Sequence, residues 1–167
     1  GVYDKVHLLV VGVGDYQGDS GVRPLDHATP DARGFRDALR RHVDVATTLE
    51  RYDTDATRAG VFAALAELRE TVTEGDALVV FWAGHGVSRE GPSGVPLDYF
   101  VTHDGGASPH APGNIAMGEL RDQLASIPAH HTLLIVDACF AGVLARRAAG
   151  GAERRRPDPS IYTRDPV

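Results

Sequence analysis

The sequence has almost no cysteine: Cys139 is the only one among 167 residues. A single thiol cannot close an internal disulfide, so a disulfide-stapled scaffold is excluded and a reducing, cytoplasmic setting is expected. Long apolar runs are missing too. None reaches the roughly 18–20 residues that a membrane-spanning helix needs. No positively charged start with an apolar core and a cleavage site opens the chain, so no secretory signal is expected in it. Net positive charge is also lacking. The formal charge is −6 at pH 7, which disfavours nucleic acid as a partner. The basic residues that exist are unevenly placed, with Arg146, Arg147, Arg154, Arg155 and Arg156 late in the chain. No internal repeat is found.

What is present suffices for one core. The chain is 43% hydrophobic, and its length suits a single domain with a tail. Val6 to Val13 is nearly all apolar, as in a strand buried on both faces. Gly14 to Pro24 reads as loop. Thr29-Pro30-Asp31 reads as a helix start, with a capping hydroxyl, a proline and a first-turn acid. Ala32, Phe35 and Leu39 give that helix its apolar stripe. A strand is expected over 46–52. A helix capped within 54–57 follows, with Val61, Ala64, Leu65 and Leu68 on one face. Ala77 to Trp82 and Thr132 to Val136 read as central strands. Between them come a loop over 88–96, a short strand over 98–102 and a helix over 119–127. Alternating strands and helices predict an α/β fold: a mostly parallel sheet with helices on both faces. Residues 1–149 form the expected domain, and 150–167 read as a linker without a core pattern.

Two apolar runs stop at a reactive side chain. One is Phe81-Trp82-Ala83-Gly84-His85-Gly86. The other is Leu134-Ile135-Val136-Asp137-Ala138-Cys139-Phe140-Ala141-Gly142. In a parallel sheet, function gathers beyond the carboxyl ends of the strands. Neighbouring strand ends there would bring the thiol of Cys139 to the imidazole of His85. A cysteine nucleophile reacts as its thiolate and needs a base or acid beside it. The amides of Gly86 and Cys139 are candidate donors to a tetrahedral oxyanion. A lone cysteine is often only a buried apolar residue, but its place after a strand, next to Asp137 and matched to Gly-His-Gly, favours catalysis.

These two phrases resemble the His and Cys boxes of caspase-like peptidases, and most closely those of metacaspases and their bacterial relatives. The likeness runs from about Val6 to Leu144 and includes Val11 to Tyr16, Pro24-Leu25 and Asp31-Ala32. The resemblance implies a caspase-like fold, a protein or peptide substrate, His85 and Cys139 as the catalytic pair, and Gly86 and Cys139 as the oxyanion hole. It also implies that Asp31 and Asp137 line a primary pocket for Arg or Lys. Animal caspases carry Gln where this chain has Asp137. A regulated zymogen acting in cell death or anti-phage defence is implied as well. So is a C-terminal small subunit or domain, which nothing after Gly150 resembles. Arg146-Arg147 stand where calcium-dependent relatives have an acid, so no metal or other cofactor is expected. Ala28 stands where metacaspases often have a cysteine. Cleavage in the stretch from Arg146 to Arg164 is expected to separate the two parts.

Other motifs are weaker. Gly12-Val13-Gly14 lacks the third glycine of a dinucleotide loop, since Gln17 occupies that place. His103, His110, His130 and His131 show no metal spacing with Cys139. Asp15, Asp19 and Asp26 read as solvated loop acids. The competing function is a catalytically silent caspase-like scaffold, against which stands the presence of both His85 and Cys139.

Overall fold

The computed structural model describes residues 2–141. Four parallel strands form the main sheet: β1 (Val6–Gly12), β2 (Thr47–Tyr52), β3 (Ala77–Ala83) and β7 (His131–Asp137), in the order β2-β1-β3-β7. β1 is flanked on both sides, and every residue after Val6 is buried. That explains its unbroken apolar run.

Side chains alternate between two cores, as the strand period requires. Leu8, Val10, Phe81 and Ala83 face α1 (Ala28–His42), against Ala28 and Ala32. Phe35 of α1 stacks on Phe81 with ring centroids 4.3 Å apart. Leu9, Val11, Leu78, Val80 and Trp82 face the other layer, built by α2 (Arg58–Thr71) and α3 (Met117–Ala125). Helices therefore cover both faces, as the alternation of elements predicts. Gly12 permits the close seating of α1, because a Cβ there would lie 2.8 Å from the Cβ of Ala32.

Three expectations need correction. First, α1 begins at Ala28, and His27 at its N-cap makes no side-chain capping bond. Thr29 lies inside the helix. Its Oγ1 sits 2.9 Å from Asp53 Oδ1 and 3.2 Å from the Gly12 carbonyl, tying the helix to two strand ends. Thr57, by contrast, caps α2 as expected, accepting the Gly60 amide at 3.0 Å.

Second, the stretch read as loop over 88–96 holds most of β4 (Gly86–Glu90), which pairs in a hairpin with β5 (Pro96–Phe100), the strand expected over 98–102. With β6 (Ile115–Ala116) and β8 (Phe140–Ala141) it makes a second sheet, ordered β6-β5-β4-β8. Polar residues hid β4. They are satisfied across the hairpin, Ser88 donating to Asp98 and Arg89 to the Tyr99 hydroxyl.

Third, β7 is an edge strand among the described strands. Its first three residues are exposed, and Leu133 retains 55% of its surface. The expected boundary at 149/150, the linker over 150–167 and the expected cleavage stretch lie outside the described residues. No helix among the described residues is long and apolar enough to cross a membrane.

Candidate active site

β3 and β7 are parallel neighbours, and their last register pair is Ala83 with Asp137. The Gly84 amide extends the ladder by donating to the Asp137 carbonyl at 3.2 Å. His85 and Cys139 each stand two residues past that pair, at the carboxyl edge where the sheet stops. The register thus brings the two expected reactive residues to neighbouring positions. Both line one open cavity of about 380 Å³, and Asp31 and Asp137 line it too. Cys139 is exposed, so its thiol is accessible to a substrate.

His85 is held at both ends. Its backbone amide donates to the Tyr16 hydroxyl at 3.0 Å. Its Nε2 lies 2.9 Å from the Arg23 carbonyl. A carbonyl oxygen only accepts, so Nε2 carries the proton in this contact and Nδ1 is the nitrogen left for acid–base work. Tyr16 is 7% exposed and donates its own proton to the Val13 carbonyl at 2.8 Å. Burial pushes the Tyr16 hydroxyl up to about 12; the His85 amide opposes that rise and the Asp53 carboxylate adds to it.

Gly86 follows directly as the first residue of β4, opposite Phe140 of β8. A Cβ at Gly86 would overlap the Phe140 ring. The glycine of the His box therefore has a steric reason as well as the expected oxyanion role. It lets the residue after Cys139 pack flat against the residue after His85, and so locks the two boxes together.

Several residues at the site escape sequence reading. Asp26 and His27 line the cavity beside Asp31, and Asp26 is an exposed turn residue, as expected of a solvated loop acid. Asp53 Oδ1 accepts from the amides of Gly14 and Asp15 at 2.9 and 3.0 Å, besides its contact with Thr29. Asp53 sits at φ 47°, a left-handed conformation that Asp tolerates better than most residues. Among the described residues no group of three or more His, Cys, Asp or Glu side chains is arranged to hold a metal ion.

The features so far define an α/β protein with a thiol and an imidazole at the carboxyl edge of a parallel sheet, within reach of one acidic cavity. The chain belongs to the caspase-domain family, a family of cysteine peptidases: the model of the caspase domain matches residues 5–164. No curated protein matches the chain in sequence. In structure it is similar to protein GSU0716 from Geobacter sulfurreducens, with a TM-score of 0.69 and 21% identity. The likeness covers 87% of this chain and 54% of that one, so the chain spans about half the length of that neighbour.

Proposed function

We propose that this chain is the large-subunit portion of a metacaspase-type cysteine endopeptidase that cleaves after Arg or Lys. The observation that carries the reading is the shared cavity: Cys139, His85, Asp31 and Asp137 line the same space. In the reaction, the Cys139 thiol passes its proton to His85 Nδ1 and the sulfur attacks the scissile carbonyl. The oxyanion is received by the amides of Gly86 and Cys139. As the C–N bond breaks, the imidazolium protonates the leaving amine, leaving a thioester on Cys139. Water, deprotonated by His85, then attacks the thioester, and the thiol leaves with the proton.

Specificity follows from charge. One guanidinium offers five N–H donors, which two carboxylates can share in bidentate geometry. An Asp substrate would meet like charges instead, and such juxtaposition costs several kcal/mol. Among the described residues β7 is an edge strand, which supports a further part of the protein there. A small C-terminal subunit or domain would pair with that edge, cover Leu133 and close the cavity. Control as a zymogen, and a role in bacterial cell death or defence, belong to the same proposal.

A peptide ending in an Arg chloromethyl ketone tests the dyad and the pocket together. The full-length protein should gain one label, on Cys139, and Cys139→Ala should gain none. An Asp-ending reagent should label far more slowly. Equal labelling by both reagents would remove the acidic-pocket reading.

A further inference from the structure

We propose that Tyr16 is a positioning residue for His85, and that the loop between β1 and α1, stapled by Asp53, acts on the catalytic pair through it. The inference rests on the His85–Cys139 dyad proposed above.

The β4–β5 register, extended one residue back, sets His85 opposite Val101. The Val101 amide does donate to the His85 carbonyl, at 3.0 Å. The return bond goes elsewhere: the His85 N–H turns to the Tyr16 hydroxyl. A phenol from another loop has replaced a strand carbonyl at the one residue whose orientation the chemistry needs. The hydroxyl's single proton is committed to the Val13 carbonyl, so the lone pair that meets His85 is fixed in direction. The rings of Tyr16 and His85 lie 5.4 Å apart at a 44° tilt. With its hydroxyl raised to about 12, Tyr16 stays neutral at physiological pH. The peg thus keeps both its bonds there.

The second restraint, the Arg23 carbonyl on Nε2, comes from the same loop. That loop is fastened from outside the cavity. Asp53 takes three hydrogen bonds from its two ends. The Leu25 amide donates to the Gly14 carbonyl at 2.8 Å, and the Gln17 amide to the His103 carbonyl at 3.1 Å. A non-glycine residue held at positive φ persists only where its surroundings over-determine it, and three bonds to one oxygen do so at Asp53. Leu25, Asp26 and His27 of this loop also form the cavity wall, with Ala28 at the start of α1. One fastened segment therefore shapes the pocket and aims the base, so geometry is set before substrate arrives.

The lone cysteine gives a direct readout. Alkylation by iodoacetamide of the full-length chain, followed over pH and read by mass spectrometry on the peptide that carries Cys139, reports the Cys139 thiolate and its neighbour. Tyr16→Phe removes one oxygen and keeps the ring. At about pH 6.5, we expect its alkylation to be roughly 5–10-fold slower than wild type, the size of one lost hydrogen bond. Its pH curve should move towards that of His85→Ala. On a peptide substrate, kcat should fall with KM within about twofold, since the loss falls on the reacting step rather than on uniform binding. Loss of a hydrogen bond with a merely structural role would lower the melting temperature and leave the pH curve in place. Asp53→Gly, which keeps the backbone conformation accessible and removes the carboxylate, should shift the curve in the same direction and serves if Tyr16→Phe does not fold. Wild-type curves for these variants, with a displaced curve for His85→Ala, would overturn the proposal. Coincident curves for wild type and His85→Ala would instead refute the dyad, and this inference with it.

Discussion

At the scale of single residues, the proposed specificity turns on charge. Asp31 and Asp137 arrive from different elements, α1 and the end of β7, and line one space. Asp137→Ala should lower kcat/KM for Arg substrates by about 10–100-fold, as expected for a lost charge-assisted hydrogen bond of roughly 1.5–3 kcal/mol. Steady-state kinetics on matched Arg and citrulline peptides check this; the variant should lose most of the preference for Arg. A second charged residue lies at the opposite end of the sheet. Asp76 Oδ2 accepts from the Thr73 amide at 2.8 Å and hydroxyl at 2.9 Å, and from His7 Nε2 at 3.2 Å. Burial raises its carboxyl, but the Thr73 bonds and the His7 imidazole outweigh burial and hold it below the ordinary 3.8. A carboxyl lowered by folding stabilises the fold above its unfolded value and loses that contribution as pH falls through the folded one. Melting temperatures measured from pH 5 down to pH 2 should therefore fall less steeply for Asp76→Asn than for wild type.

At the scale of elements, the candidate active edge depends on two short strands that pair side by side. β8 begins one residue after Cys139 and pairs with β4, which begins one residue after His85. Gly86→Ala should press into Phe140 and cost about 1–3 kcal/mol of stability, the usual penalty for overpacking. Adding Phe140→Leu should restore much of the loss, and a double-mutant cycle by thermal unfolding measures the coupling. Sequence made the main sheet legible because β1 and β3 are buried on both faces and read as unbroken apolar runs. It hid β4 because Ser88, Arg89 and Glu90 are polar, and their partners are known only once the hairpin is closed. Thr29 misled for a related reason: a hydroxyl before a helical pattern resembles a cap, yet Asp53, remote in sequence, claims it. Local phrases singled out His85 and Cys139, and the family resemblance singled out Asp31 and Asp137; all four line the cavity. Tyr16, Arg23 and Asp53 were not legible, since each acts through a backbone group or a loop that composition does not reveal.

At the scale of the whole molecule, β7 is the edge of the main sheet among the described residues. Leu133, 55% exposed on β7, would gain about 1–1.5 kcal/mol if a further part of the protein buried the rest of it, roughly half the value for a whole leucine side chain. Leu133→Glu should therefore weaken association with a C-terminal part, seen as a change in mass by light scattering of the processed protein. Cys139 should also be required for processing between Arg146 and Arg164. Intact-mass measurements should show cut wild type and uncut Cys139→Ala under activating conditions. The central claim, that this cavity is a basic-specific cysteine peptidase site, is tested most directly by kcat/KM of the activated full-length protein on paired Arg and Asp peptides, with Cys139→Ala and His85→Ala measured beside it. The account predicts cleavage after Arg, little after Asp, no turnover by Cys139→Ala and a roughly 10²–10⁴-fold loss for His85→Ala. Undiminished turnover by Cys139→Ala, or a preference for Asp, would contradict it.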